Sequence, residues 1–138
     1  MEPTKKTSNA RVQALRLLTV RDRSVQELRD RLQRQFAQEE IEETLDYLER
    51  IGYLDDLRFA KNHVQYRNRH RPTGNYLLRL ELRSKGVRDS YIEQALNSSA
   101  LEYELALSLA KQRLGRLERV DALARMRRVC GLLQRRGF

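Results

Sequence analysis

Tryptophan is absent from this 138-residue chain, cysteine occurs once, and proline appears only at positions 3 and 72. Each scarcity closes a class of explanation. The lone Cys130 permits no internal disulfide and no cysteine-based zinc or redox framework. Two prolines and six glycines leave few places to turn, which favours an all-helical chain. No apolar run approaches the ~18 residues that span a bilayer, and the polar opening MEPTKKTSNA has no signal-peptide core. The expectation is a cytoplasmic protein with no membrane contact and a disordered tail over residues 1–9. A Gly-rich phosphate loop is also missing, so no nucleotide site or cofactor is indicated. The chain does not read as an enzyme.

Charge is abundant instead. Charged residues make up 34% of the chain, apolar residues 40%, and the net charge is +9. The excess is regional. Residues 10–56 hold 8 basic against 11 acidic groups, residues 57–99 hold 9 against 3, and residues 100–138 hold 9 against 4. Arg dominates the basic set, and its planar fork suits phosphate and carboxylate. A basic bias of this kind, with a pI near 10.2, points to an anionic partner, either DNA or an acidic protein groove.

The chain also nearly repeats itself. LRDRLQRQFAQEEIEETL (28–45) and LRLELRSKGVRDSYIEQAL (78–96) share a Leu-x-x-x-Leu pair, a basic stretch, a break and an acidic segment. VCGLLQRRGF (129–138) begins the pattern a third time. A helical period of roughly fifty residues predicts stacked supersecondary units, whose extended surfaces serve binding before catalysis. The units are placed at residues 10–56, 57–98 and 99–138. The last has two helices, and by analogy one more is expected to follow.

Local signals fill in the units. The first helix starts after Ser8 or Asn9 with Val12, Leu15 and Leu18 on one face. Ser24 and Glu27 have capping-box spacing ahead of Leu28 and Leu32. Ile41, Leu45 and Leu48 share the next helix face, and Gly52 fits a left-handed cap. Asp55 or Asp56 caps a helix burying Phe59, Ala60 and Val64. Leu78 and Leu82 mark the following helix, which stops at Gly86. Asp89 or Ser90 caps a short helix bearing Ile92 and Leu96, with Ser90 and Glu93 spaced as a box. Ser99 and Glu102 have the same spacing ahead of Leu105, Ala106 and Leu109. Asp121 caps a final helix whose apolar face holds Leu123, Met126, Cys130 and Leu133.

GYLDDLRFAKNHV, followed by LLRLELRSKGV and a terminal LLQRRGF, closely resembles the RecX family, bacterial regulators of the RecA recombinase. The resemblance begins near Arg11 and covers almost all that follows. It implies tandem three-helix repeats in an elongated, curved array. It also implies a protein that binds the RecA–DNA filament along its groove and limits filament growth, strand exchange and the SOS response. One departure is local: the first unit reads Arg34-Gln35-Phe36 where the others have Lys-Gly-Val or Arg-Gly-Phe. A turn of another form is expected there, or strain.

For contact with the filament or with single- or double-stranded DNA, the candidates are Arg67, Arg71, Arg79, Arg83 and Lys85 in the second unit. Arg125, Arg128, Arg135 and Arg136 join them in the third. Arg79 and Arg83 lie one turn apart and project together. The runner-up is a sequence-nonspecific DNA-binding protein that needs no protein partner. A monomer is expected in either case. Tyr47, Tyr53, Tyr66 and Tyr76 could stack on bases, but packing against the core is the favoured reading. Asp55 and Asp56 read as a cap and not a carboxylate pair. His63 and His70 stand two turns apart, about 10 Å, too far to share a metal. Cys130 is expected to be a buried structural thiol.

Overall fold

The computed structural model describes residues 9–138. Eight helices make up its regular structure: α1 (Ala10–Val20), α2 (Val25–Leu32), α3 (Gln38–Arg50), α4 (Asp56–His70), α5 (Asn75–Ser84), α6 (Asp89–Ala95), α7 (Ser99–Gly115) and α8 (Ala122–Arg135). The fold is all-α, and α1–α3 and α4–α6 form two tandem three-helix units. The pair α7–α8 follows. The tail expected at residues 1–9 lies outside the description except for Asn9, whose side chain accepts from the Val12 amide and starts α1.

Most elements begin and end for the reasons the residues suggest. Ser24 and Glu27 form the full capping box on α2. Asp55 caps α4 and Asp121 caps α8 through the amides of Arg58 and Ala124. Gly52, Gly86 and Gly137 all hold positive φ, at 85°, 81° and 87°, a region that side chains resist.

Each full unit closes its own core. In the first, Leu28, Leu32, Ile41, Leu45 and Leu48 are at most 1% exposed. In the second, Leu78, Leu82 and Ile92 are fully buried and Phe59, Ala60 and Val64 pack with them. The α7–α8 pair buries much less, with only Leu109 and Val129 among its large apolar side chains. The extensive helix contacts run within units: α1, α2 and α3 on one another, α6 on α4 and α5, α7 on α8.

Several expectations shift by one residue. The buried face of α1 is Ala10, Ala14 and Leu17, not Val12, Leu15 and Leu18. Small alanines let the helix approach its neighbours closely, and the larger residues flank the seam. Helix α6 begins after Arg88 with no side-chain cap, so the Ser90–Glu93 box does not form. Ser98, not Ser99, caps α7 by accepting from the Leu101 amide. Leu105 and Ala106 are only half-buried.

The turn without glycine takes the other form. After α5, Val87 N–H donates to Leu82 O, six residues closing the turn around Gly86. After α8, Phe138 N–H donates to Leu133 O in the same way around Gly137. These are Schellman closures, which need a left-handed residue. After α2 the turn is one residue shorter, Phe36 N–H donating to Leu32 O, and no left-handed residue is required. No described non-glycine residue has positive φ.

Candidate partner-binding surface

The units meet through two joints of one design. At the first, Ser24 Oγ donates to Lys85 O at 2.6 Å and Val25 N–H donates to the Asp56 carboxylate at 2.8 Å. At the second, Gly74 N–H donates to Arg136 O at 2.6 Å and Asn75 N–H donates to the Glu102 carboxylate at 2.6 Å. Each joint thus seats the N-terminus of one unit's second helix on the glycine turn of the next unit. The turn must come close. A Cβ at Gly86 would strike the Gln26 side chain, and one at Gly137 would lie 2.8 Å from Leu77 N. With Ser98 as the cap, Glu102 lies one residue too far along to close a box, and its carboxylate serves the neighbouring unit instead.

The nine candidate cations separate into two sets. Arg67 bonds Glu81 at 3.2 Å, beside the His63 Nε2–Glu81 contact of 2.7 Å. Arg79 bonds Glu93 at 2.8 Å, Arg83 bonds Asp89 at 3.0 Å, and Lys85 bonds Glu27 at 3.3 Å. The hydrogen bond from Arg79 holds the Glu93 carboxyl below its usual range. Arg79 and Arg83 do project together, but onto the acidic side of α6. Arg136 donates from Nη1 to Pro72 O at 2.9 Å and so braces the second joint. Arg71, Arg125, Arg128 and Arg135 have no ion pair among the described residues, and of these Arg125 is half-buried.

The internal pairing had a sequence signal. Arg29–Glu42 and Arg79–Glu93 occupy matching places in their units, 13 and 14 residues apart, and tie the second helix to the third. Such charge-assisted bonds at exposed sites are worth ~1 kcal/mol or less, so a competing anion can displace them cheaply.

The expected packing holds for Tyr47 and is corrected for Tyr53, Tyr66, Tyr76 and Cys130. Tyr53, Tyr66 and Tyr76 are 56%, 54% and 65% exposed, so they do not pack into the core. Tyr47 is half-buried, with the Arg11 guanidinium 3.7 Å over its ring. Cys130 is exposed, because its face of α8 has no third helix against it among the described residues. Leu123 and Met126 on the same face are 59% and 64% exposed, beside a groove of about 450 Å³. Cys130 is therefore expected to react with an uncharged thiol reagent in the folded state at nearly the rate of a free cysteine peptide. Protection by tenfold or more would place it inside.

Among the described residues no cluster of His, Cys, Asp and Glu could hold a metal. His63 faces Glu81 while His70 stacks on Tyr66, with ring centroids 4.3 Å apart. No described helix is long and apolar enough to cross a membrane.

Comparison with known proteins fits this architecture. The model of the first three-helix domain of RecX matches residues 10–48, and that of the second matches residues 55–96. Regulatory protein RecX of Prosthecochloris aestuarii is 44% identical over 101 residues, covering 72% of this chain. That match spans 64% of the relative's own length. Regulatory protein RecX of Trichlorobacter lovleyi is 38% identical over 143 residues, covering 100% of this chain and 93% of that protein. The crystal structure of RecX from Lactobacillus salivarius has a TM-score of 0.86 over 98% of this chain and 90% of that one. Its 22% identity makes that a likeness of fold. With both domain models matched in order and a relative aligned end to end, the chain belongs to the RecX family of regulatory proteins.

Proposed function

We propose that the chain binds the RecA–DNA filament and restrains recombinase activity, acting in the cytoplasm as a monomer. Membership of a family of regulatory proteins carries this reading. The basic bias of the second and third units supports it, and so do the four candidate arginines without ion pairs among the described residues. Arg71, Arg125, Arg128 and Arg135 are the contacts to test before the paired set. The paired cations, Arg67, Arg79, Arg83 and Lys85, contribute to the field of the surface and not to first contact. Arg136 braces the fold.

The exposed tyrosines favour a second reading, direct binding of single-stranded DNA without a protein partner. One experiment separates the two. RecA-dependent ATP hydrolysis is followed on preassembled single-stranded DNA filaments while the chain is added far below the RecA concentration. Progressive inhibition at substoichiometric amounts is the expected result. Inhibition only when the chain suffices to coat the DNA would mean competition for the strand, and the second reading would replace the first. Arg125→Glu with Arg128→Glu is expected to weaken inhibition at least about tenfold, the order of one lost charge-assisted contact.

A further inference from the structure

The two joints share a design but differ in one charge. At the first, the Glu27 carboxylate lies between Arg21 Nη1 and Lys85 Nζ, each 3.3 Å away. Burial opposes ionisation of Glu27, yet Arg21, the Ser24 amide and Lys85 outweigh it and hold the carboxyl below its usual range. That joint carries its own counter-charge.

At the second joint both cations recur in matching places, Arg71 for Arg21 and Arg136 for Lys85. The place of Glu27 is taken by Leu77. No carboxylate replaces it, and two more arginines are added. Arg113 of α7 and Arg116, the residue that caps its end, line a cleft of about 250 Å³ together with Arg136, Gln112, Leu109 and Leu132. Arg113 Nε is buried without a hydrogen-bond partner among the described residues. Burial, then the like charges of Arg71 and Arg113, weaken the hold of Arg136 on its proton. The bond from Arg136 to Pro72 O offers no counter-charge. The carboxylate that the joint does contain, Glu102, is committed to the Asn75 amide, as Asp56 is to Val25.

We infer that this cleft binds a phosphate-class oxyanion, which fills at the second joint the role of the Glu27 carboxylate at the first. Guanidinium forks match phosphate oxygens in pairs, and a tetrahedral anion can meet several donors at once. Its charge offsets the lining cations Arg113, Arg116 and Arg136, and with them the repulsion that Arg71 of the neighbouring unit exerts on Arg136. Bound anion therefore tightens the joint. Two sources share this chemistry: a phosphodiester of a DNA strand, or free phosphate. The site does not depend on RecA binding and stands or falls without it.

The test is thermal unfolding of the full chain in inorganic phosphate against chloride at matched ionic strength and pH. A saturable rise in Tm specific to phosphate is expected. Leu77→Glu restores a carboxylate at the matching place, in a helical first turn that favours one. It should weaken the phosphate response at least about tenfold in concentration. Arg113→Gln and Arg116→Gln should do the same while leaving the Arg136 contacts intact. Oligothymidylate affinity then separates the sources. A parallel loss in these variants assigns the phosphodiester, and unchanged DNA binding with a lost phosphate response assigns the free anion. Phosphate acting no better than chloride, or acting equally on wild type and the arginine variants, overturns the site.

Discussion

Gly86→Ala is expected to cost about 2–5 kcal/mol, against about 1–2 kcal/mol for Gly52→Ala, although both glycines hold nearly the same φ. The shared part is the steric penalty of placing a side chain in the left-handed region. The difference is space. An added Cβ at Gly52 meets nothing within 4 Å, while at Gly86 it strikes Cβ and Cγ of Gln26. Gln26 Cβ is fixed to the backbone of α2, so rotating a side chain cannot relieve the overlap. The turn must lift off, which stretches the Ser24 Oγ–Lys85 O bond of 2.6 Å. Equilibrium unfolding in urea checks the pair. Equal losses at the two positions would mean that the joint slides without cost and does not fix the angle between units.

Leu82→Ala is expected to lose about 2–5 kcal/mol, the range for a leucine removed from a core that relaxes incompletely. Leu82 is fully buried in the core it shares with residues of α4 and α6, and its carbonyl receives the Schellman bond that closes the turn beneath it. The second unit also holds one partner of each joint, so its loss undermines the units on both sides. Leu109→Ala, in the thinner α7–α8 pair, should cost about half as much because less surrounds it. Amide hydrogen exchange should show the same gradient, with α7 and α8 opening before α4–α6. Uniform protection along the chain would contradict it.

The helices, their caps at Ser24, Asp55 and Asp121, and the leucine stripes were all legible in the residues, because each depends on neighbours within one turn. What escaped the sequence depends on contacts between units. Glu102 has the spacing of a local cap, yet it serves Asn75 in the preceding unit. The seam of α1 runs through Ala10 and Ala14, which hydrophobicity ranks below the leucines beside them. Arg67, Arg79, Arg83 and Lys85 read as free cations because their carboxylate partners lie on other helices. The cleft cations Arg113 and Arg116 were missed, though a signal existed. Setting Arg21, Glu27 and Lys85 against Arg71, Leu77 and Arg136 shows a charge missing from the second set.

The first joint draws two of its four hydrogen-bonded groups from the main chain and the second draws three, and each closes on a glycine. Away from the charged groups at the joints, the outward-facing positions take no part in these bonds. Those positions can drift from acidic, as in residues 10–56, to basic, as in residues 57–138, without bending the array differently. Shape and charge are separately adjustable in such a molecule. A scaffold built on it can keep the geometry of its joints while its surface charge changes.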